Sequence, residues 1–289
     1  MAKTIKYRKV NKLTDEDFRR VVGVTRETFK EMVKVVRKHY RLKKAKGGTN
    51  KSLSANDETL MMLEYYREYR TFKHLGVDYE VSESTAHYIV TKIEKILINE
   101  QRFHLEKLKH IELQVNANNI EITVVDVTES QCERPKKKQK YYYSGKKKKH
   151  TLKTQVIATS EGKILAVCID KGRTHDFKVF KKSKSARKMA LSKVLADLGY
   201  LGIAKICPNS QIPKKKTKLN PLTKEEKKEN NKLSSKRIII EQINAKIKVF
   251  KITKYPYRNR RKRFGLRMNL ICAIINLDAK PIKPKDKDG

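Results

Sequence analysis

Residues 122–129 read ITVVDVTE. Ile122, Thr123, Val124 and Val125 have the β-branched character of a buried strand, and they run straight into Asp126, with Glu129 just beyond. An acid ending such a strand needs a reason in this chain, where 70 Lys and Arg face 31 Asp and Glu across 289 residues, for a formal charge of +39. A protein that far from neutrality repels itself unless a polyanion or counterions compensate, which points to a nucleic-acid partner. A membrane surface is the weaker rival, because no stretch approaches the ~20 apolar residues needed to span a bilayer and neither end carries a lipidation signature. The start, MAKTIKYRKV, lacks the apolar core of a signal peptide, so the cytoplasm or nucleoid is the expected location. Cys132, Cys168, Cys207 and Cys272 form no C-x-x-C pair, which speaks against zinc or a disulfide framework and for a reducing compartment.

Outward from this strand the periodicity stays at two. TLKTQVIAT and KILAVCID are further strands joined by a turn at Ser160, Glu161 and Gly162, and VLADLGY is a strand ending at Asp197. Between the first two strands lies ERPKKKQKYYYSGKKKKH, a basic run with three tyrosines. It reads as a surface loop, and Lys146, Lys147, Lys148 and Lys149 are its candidate DNA contacts. Helices are predicted around Asp176 to Lys182 and near Ala186 to Lys193. A capping box at Thr223 and Glu226 opens a long helix that includes RIIIEQINAKIKVF.

The amino-terminal third is helical instead. Helix starts fall at Thr14, near Thr25 and after Ser54, and RLKKAKGGTNKS reads as a linker. In TFKHLGVDYEVSESTAHYIVTKIEKIL a short helix from Thr71 to about Tyr79 is followed by a turn at Glu80 and Val81 and a second helix capped by Ser82. Ala86, Ile89, Ile93 and Ile96 make the buried stripe of that second helix, which leaves Ser84, Thr85, His87, Tyr88, Thr91 and Lys92 outside. Two short helices with a tight turn, the second presenting small hydrogen-bonding groups, suit major-groove reading. The expected organisation is therefore a helical segment and linker at 1–50, a helix-turn-helix domain at 51–110 and an α/β domain at 111–289.

Three acids stand out by context. Asp126 and Asp197 are placed at the carboxyl ends of apolar strands, and Glu241 lies near the edge of the stripe formed by Ile240, Ile243, Ile247 and Phe250, with Arg237 and Lys248 on its own face. Carboxylates from strand ends and a helix suit a hard cation such as Mg2+. Two such ions ~3.5 to 4 Å apart serve in-line phosphoryl displacement.

These blocks together resemble the DDE-type transposases of bacterial insertion sequences, in the insertion-sequence-five and Harbinger-like branch. LTDEDFRRVVGVTRETF is similar to the family's amino-terminal segment and REYRTFKHLGVDYEVSESTAHYIV to its helix-turn-helix. VDVTE, RPKKKQKYYYSGKKKKHTLK, THD, ADLGY and RIIIEQINAKIK follow as its catalytic blocks, in the family order. The resemblance implies an RNase H-like mixed sheet flanked by helices, with Asp126, Asp197 and Glu241 as the catalytic and metal-binding triad for Mg2+ or Mn2+. It also implies binding of terminal inverted repeats and target DNA, strand cleavage and transfer, and a homodimer or higher oligomer on DNA. Arg237, Glu241 and Lys248 match the related insertion-sequence-four signature, whose tyrosine position is Ser234 here. Asp176, in RTHDF, is a further acid for which a helix-capping role is equally open. A domesticated or inactive DNA-binding descendant keeps the same binding region without the chemistry, and a nonspecific RNA-binding protein accounts for the charge but not for the acids.

Overall fold

Five helices begin where a hydroxyl side chain accepts the backbone N–H three residues on: Thr14 from Asp17, Ser54 from Asp57, Thr71 from His74, Ser82 from Thr85 and Thr223 from Glu226. Each satisfies an N–H that a helix start leaves without an intrahelical partner. In the computed structural model, which describes residues 5–45, 47, 53–105, 122–183, 189, 192–216 and 221–279, the chain forms two compact units. The first comprises 1–104 with 273–289, and the second 105–272.

The first unit contains α1 (Tyr7–Val10), α2 (Asp15–Val22), α3 (Arg26–Ala45), α4 (Ala55–Arg67), α5 (Phe72–Asp78) and α6 (Glu83–Ile98). The third helix runs on through Arg41 to Ala45, so it takes up the start of the predicted linker; residues 46 and 48–52 of that linker lie outside the described residues. Leu60, Leu63 and Tyr66 of α4 are buried, as is the Ala86, Ile89, Ile93 and Ile96 stripe of α6. The turn between α5 and α6 places Glu80 at φ 54°. Gly76 lets it close, since a Cβ there would lie 2.7 Å from the Val81 carbonyl oxygen. An ionic knot ties the hairpin to α4: Lys6 Nζ lies 2.8 Å from Glu64 and 2.9 Å from Asp78, Arg70 bonds both carboxylates, and the Tyr79 hydroxyl donates to Glu64 at 3.1 Å.

The second unit is built on a mixed sheet of β1 (Ile122–Gln131), β2 (Tyr143–Ser144), β3 (Lys149–Thr159), β4 (Ile164–Lys171) and β5 (Lys193–Leu195). The order is β2-β3-β1-β5, with β4 also on β3. β1 is antiparallel to β3 and parallel to β5, and β3 is antiparallel to β4. Around it lie α7 (Gln139–Tyr142), α8 (Asp176–Lys182), α9 (Lys224–Val249), α10 (Lys251–Lys254) and α11 (Phe264–Asp278), the last turns of α11 belonging to the first unit. Val125, Ile157, Leu165, Phe180 and Tyr200 pack in the core on the α8 face. Ile240, Ile243 and Ile247 of α9 are buried, as the spacing predicts.

Two expectations change. Asp126 does not end its strand: β1 continues to Gln131, because its antiparallel pairing with β3 runs from Thr123 to Gln131. What ends is the parallel pairing with β5, whose last matched pair is Val124 with Leu195. The basic run is also more than a loop. Its tail forms a tight hairpin pairing Tyr143 with His150 and Ser144 with Lys149, and Tyr142 lies under the Arg261 guanidinium, 4.7 Å from ring centre to Cζ. The helix predicted near 186–193 falls mostly outside the described residues, and Lys193 opens β5.

Candidate active site and nucleic-acid interface

Beyond Val124 β1 has no further pairing with β5, and Asp126, Asp197 and Asp176 lie around this break. Strand alternation sends Val125 into the α8-side core and Asp126 to the opposite face. On that face Asn244 Nδ2 of α9 donates to Asp126 Oδ2 at 2.9 Å. Asp197, two residues after β5, caps a 3-10 turn by accepting the Gly199 N–H at 2.9 Å. Asp176, the first residue of α8, accepts from Lys153 Nζ at 2.6 Å. A Cβ added to Gly199 would lie 3.0 Å from Asp197 Oδ1 and 3.1 Å from Asp176 Oδ2, so the bare glycine lets both carboxylates flank one Cα.

Burial pushes the Asp126 carboxyl above the ordinary aspartate range. The Asp197 and Asp176 carboxylates push the same way, against the Val127 backbone N–H and the Arg237 charge. Burial likewise lifts the Tyr200 phenol well above its ordinary range, reinforced by Asp176, Asp126 and Asp197. Lys153, itself largely buried, bridges Asp176 to Glu129 at 3.9 Å, and Glu129 also accepts from the Thr151 hydroxyl at 2.8 Å.

Glu241 is exposed on α9, four residues after Arg237 and three before Asn244, so it shares the helix face from which those two act on Asp126. Arg237 is half-buried and Lys248 exposed. Among the described residues no three His, Cys, Asp or Glu side chains converge as a metal-binding group. The surroundings of Asp126 and Asp197 nevertheless fit a hard divalent cation. The donors are oxygens, and Asn244 Oδ1 and the Tyr200 hydroxyl are buried there without a hydrogen-bond partner in the protein, where buried polar atoms are ordinarily paired.

Sequence reasoning leaves out Asn244, Lys153 and Tyr200. Asn244 is legible as the residue seven beyond Arg237 on one helix face. Lys153 and Tyr200 carry no such signal, because only the β1–β3 register and the turn after β5 bring them to the acids.

On α6, Ser84, His87 and Tyr88 are exposed, with Tyr88 at 57 %. Thr85 and Thr91 are half-buried, and the Thr91 hydroxyl donates to the His87 carbonyl at 2.9 Å. Lys92 turns inward, its Nζ 2.8 Å from both oxygens of buried Glu58. Lys146, Lys147, Lys148 and Lys149 are all exposed on the β2–β3 hairpin. No helix among the described residues is long and apolar enough to cross a membrane.

Residues 125–276 match the DDE superfamily endonuclease family, and residues 51–101 match the helix-turn-helix of DDE superfamily endonuclease. The chain is 45 % identical over 275 residues to the probable transposase for insertion sequence element IS702 of Microchaete diplosiphon, covering 95 % of this chain and 98 % of that protein. No solved structure matches it.

Proposed function

The chain belongs to the DDE superfamily endonucleases as an insertion-sequence transposase with a DNA-binding helix-turn-helix, and from that premise we propose that Asp126, Asp197 and Glu241 are its catalytic, metal-holding residues. The proposed reaction is cleavage at the element's terminal inverted repeats and joining of the freed ends to target DNA. Enzymes of this superfamily generally use divalent metal ions. Here Asp126 and Asp197 would hold them, with Glu241 completing the set from α9, and Mg2+ or Mn2+ is the expected ion. Such ions polarise a phosphate oxygen and lower the pKa of bound water.

The observation that carries this reading is that Asp197 and Asp176 flank Gly199 and lie near enough to push up the Asp126 carboxyl, whose other neighbours, Arg237 and Asn244, share the α9 face of Glu241. In cleavage, water oxygen bonds to phosphorus as the bond to the 3′ oxygen breaks, leaving a 3′ hydroxyl. That hydroxyl then bonds to the phosphorus of a target phosphodiester as the target strand's 3′ oxygen leaves and takes up a proton. Asn244 holds the Asp126 carboxylate in one orientation through its amide N–H. Lys153 compensates Asp176 and keeps it from crowding its acidic neighbours. Arg237 adds positive charge where phosphate must approach a cluster of carboxylates.

Ser84, Thr85, His87, Tyr88 and Thr91 of α6 are proposed to read the repeat, while Lys146 to Lys149, Arg237 and Lys248 follow the backbone; Lys92 supports the helix from inside. The domain division follows the same lines, a helix-turn-helix module followed by a catalytic one. Because two ends must be processed together, the working form is a dimer or higher oligomer on DNA, associated with the nucleoid. The test is incubation with a duplex carrying the element's end, with Mg2+ or with chelator. Metal-dependent cuts leaving 3′ hydroxyls, and joined products with a second duplex, are expected. Tight binding without any metal-dependent cut would favour a descendant that retains DNA binding alone.

A further inference from the structure

From Met32 to Ala45, α3 contains no acidic residue. Lys30, Lys34, Arg37, Arg41 and Lys44 recur along it at spacings of four, three, four and three, which puts them on one face of a helix. All five are exposed. At ~1.5 Å per residue the stripe is about 21 Å long. It borders a groove of about 720 Å³ whose apolar wall includes Phe29, Val33 and Tyr40.

The charge of this stripe is not closed by the protein. Among the described residues the only carboxylate paired with it is Glu31, which lies 3.9 Å from Lys34 and is engaged at 2.7 Å by Arg102. Arg37 donates to the neutral Asn56 side chain at 3.1 Å. The groove also adjoins α6. The Tyr40 hydroxyl donates to the buried Glu58 carboxylate that holds Lys92, and Lys92 Nζ lies 5.1 Å from the Tyr40 ring and 5.4 Å from that of exposed Tyr88.

We propose that the basic groove of α3 is a second DNA-contacting surface, which seats the sugar–phosphate backbone beside the base pairs that α6 reads. The inference rests on the helix-turn-helix binding duplex DNA through α6. Its chemistry is that of a phosphate track. A row of cations flanked by apolar surface neutralises successive phosphates and lies against deoxyribose, without donors and acceptors arranged to tell one base pair from another.

The test uses the full-length protein and two duplexes, one carrying the element's end and one of scrambled sequence, titrated at several salt concentrations. With Lys34, Arg37, Arg41 and Lys44 all changed to Gln, the slope of log affinity against log salt is expected to flatten by about 0.9 for each phosphate that is no longer neutralised. Affinity for the two duplexes should fall by the same factor, leaving their ratio unchanged. His87→Ala with Tyr88→Ala should do the reverse, reducing the ratio and sparing the slope. An unchanged slope in the quadruple variant, with an unaltered thermal melt, would overturn the proposal. If that variant melts early, single Lys34→Gln and Arg41→Gln variants replace it, each expected to flatten the slope by about 0.9. A photo-cross-linking residue in place of Arg41 should also join covalently to the duplex, and absence of any adduct would count against the groove. Wild-type protein that binds neither duplex would instead overturn the reading of α6 on which the inference rests.

Discussion

Asp126 stands just past the point where β1 loses β5 as a neighbour, which accounts for an ionisable group amid the apolar residues of a central strand. A carboxylate there is held by rigid backbone yet reachable from the sheet edge. Burial and like charge hold its pKa above the ordinary range, as is common for carboxylates at functional sites. Gly199 is as specific a requirement, since its missing side chain gives Asp176 and Asp197 their places. Gly199→Ala is therefore expected to leave the protein folded but to lower cleavage by up to about 100-fold, as small misplacements of reacting groups do. Cleavage rates beside a thermal melt check it, and a wild-type rate would show that the two carboxylates tolerate displacement. The sequence made Asp126 and Asp197 legible because an acid after an apolar run is conspicuous. It left Asp176 open as a cap, because nothing local reveals that its partner is Lys153, twenty-three residues earlier on β3.

At the scale of elements, capping chemistry was the most legible feature. Thr14, Ser54, Thr71, Ser82 and Thr223 each announced a helix that begins where expected, because a cap is a local interaction. Lys92 shows the limit of helical periodicity. It lies off the apolar stripe of α6, yet neighbouring helices cover it and its charge is matched by Glu58. Lys92→Met is expected to destabilise the protein by about 3 kcal/mol, chiefly by stranding that carboxylate, and thermal melts should register the loss without any DNA present. An unchanged melt would return Lys92 to the DNA-facing surface. The knot between α4 and α5 makes a pH prediction. Burial works against ionised Asp78, but hydrogen bonds from Lys6 and Arg70 outweigh it and hold its pKa below the ordinary range. A depressed folded pKa means stability that is fully present above the unfolded aspartate pKa and lost as pH falls through the folded value. Asp78→Asn should accordingly melt earlier than wild type at neutral pH, with the gap closing as both are taken into strong acid. A gap that stays constant with pH would mean the knot contributes through packing alone.

Over the whole chain, 70 Lys and Arg outnumber 31 Asp and Glu, and the proposed role of a few of those acids makes sense of the excess. The net charge of +39 draws in a polyanion, and the acids at the end of β5, in the proposed role, would give that polyanion's phosphates a place to react. The mixed sheet and the helix-turn-helix could be read from hydrophobic period and resemblance. The register of β1 on β3 could not, because it is fixed by pairings between residues twenty or more positions apart, nor could the side of α9 that meets Asp126 be chosen from composition. The central claim is that Asp126 acts through its negative charge rather than its shape. Asp126→Asn keeps the shape and the capacity to accept from Asn244, and relieves a carboxylate that burial and its neighbours disfavour, so the metal-free variant should be at least as stable as wild type. The decisive measurement is Mg2+-dependent cleavage of end-bearing duplex by this variant at a concentration where it binds that duplex as wild type does. Binding without cleavage is expected; near wild-type cleavage would show that the Asp126 charge is dispensable.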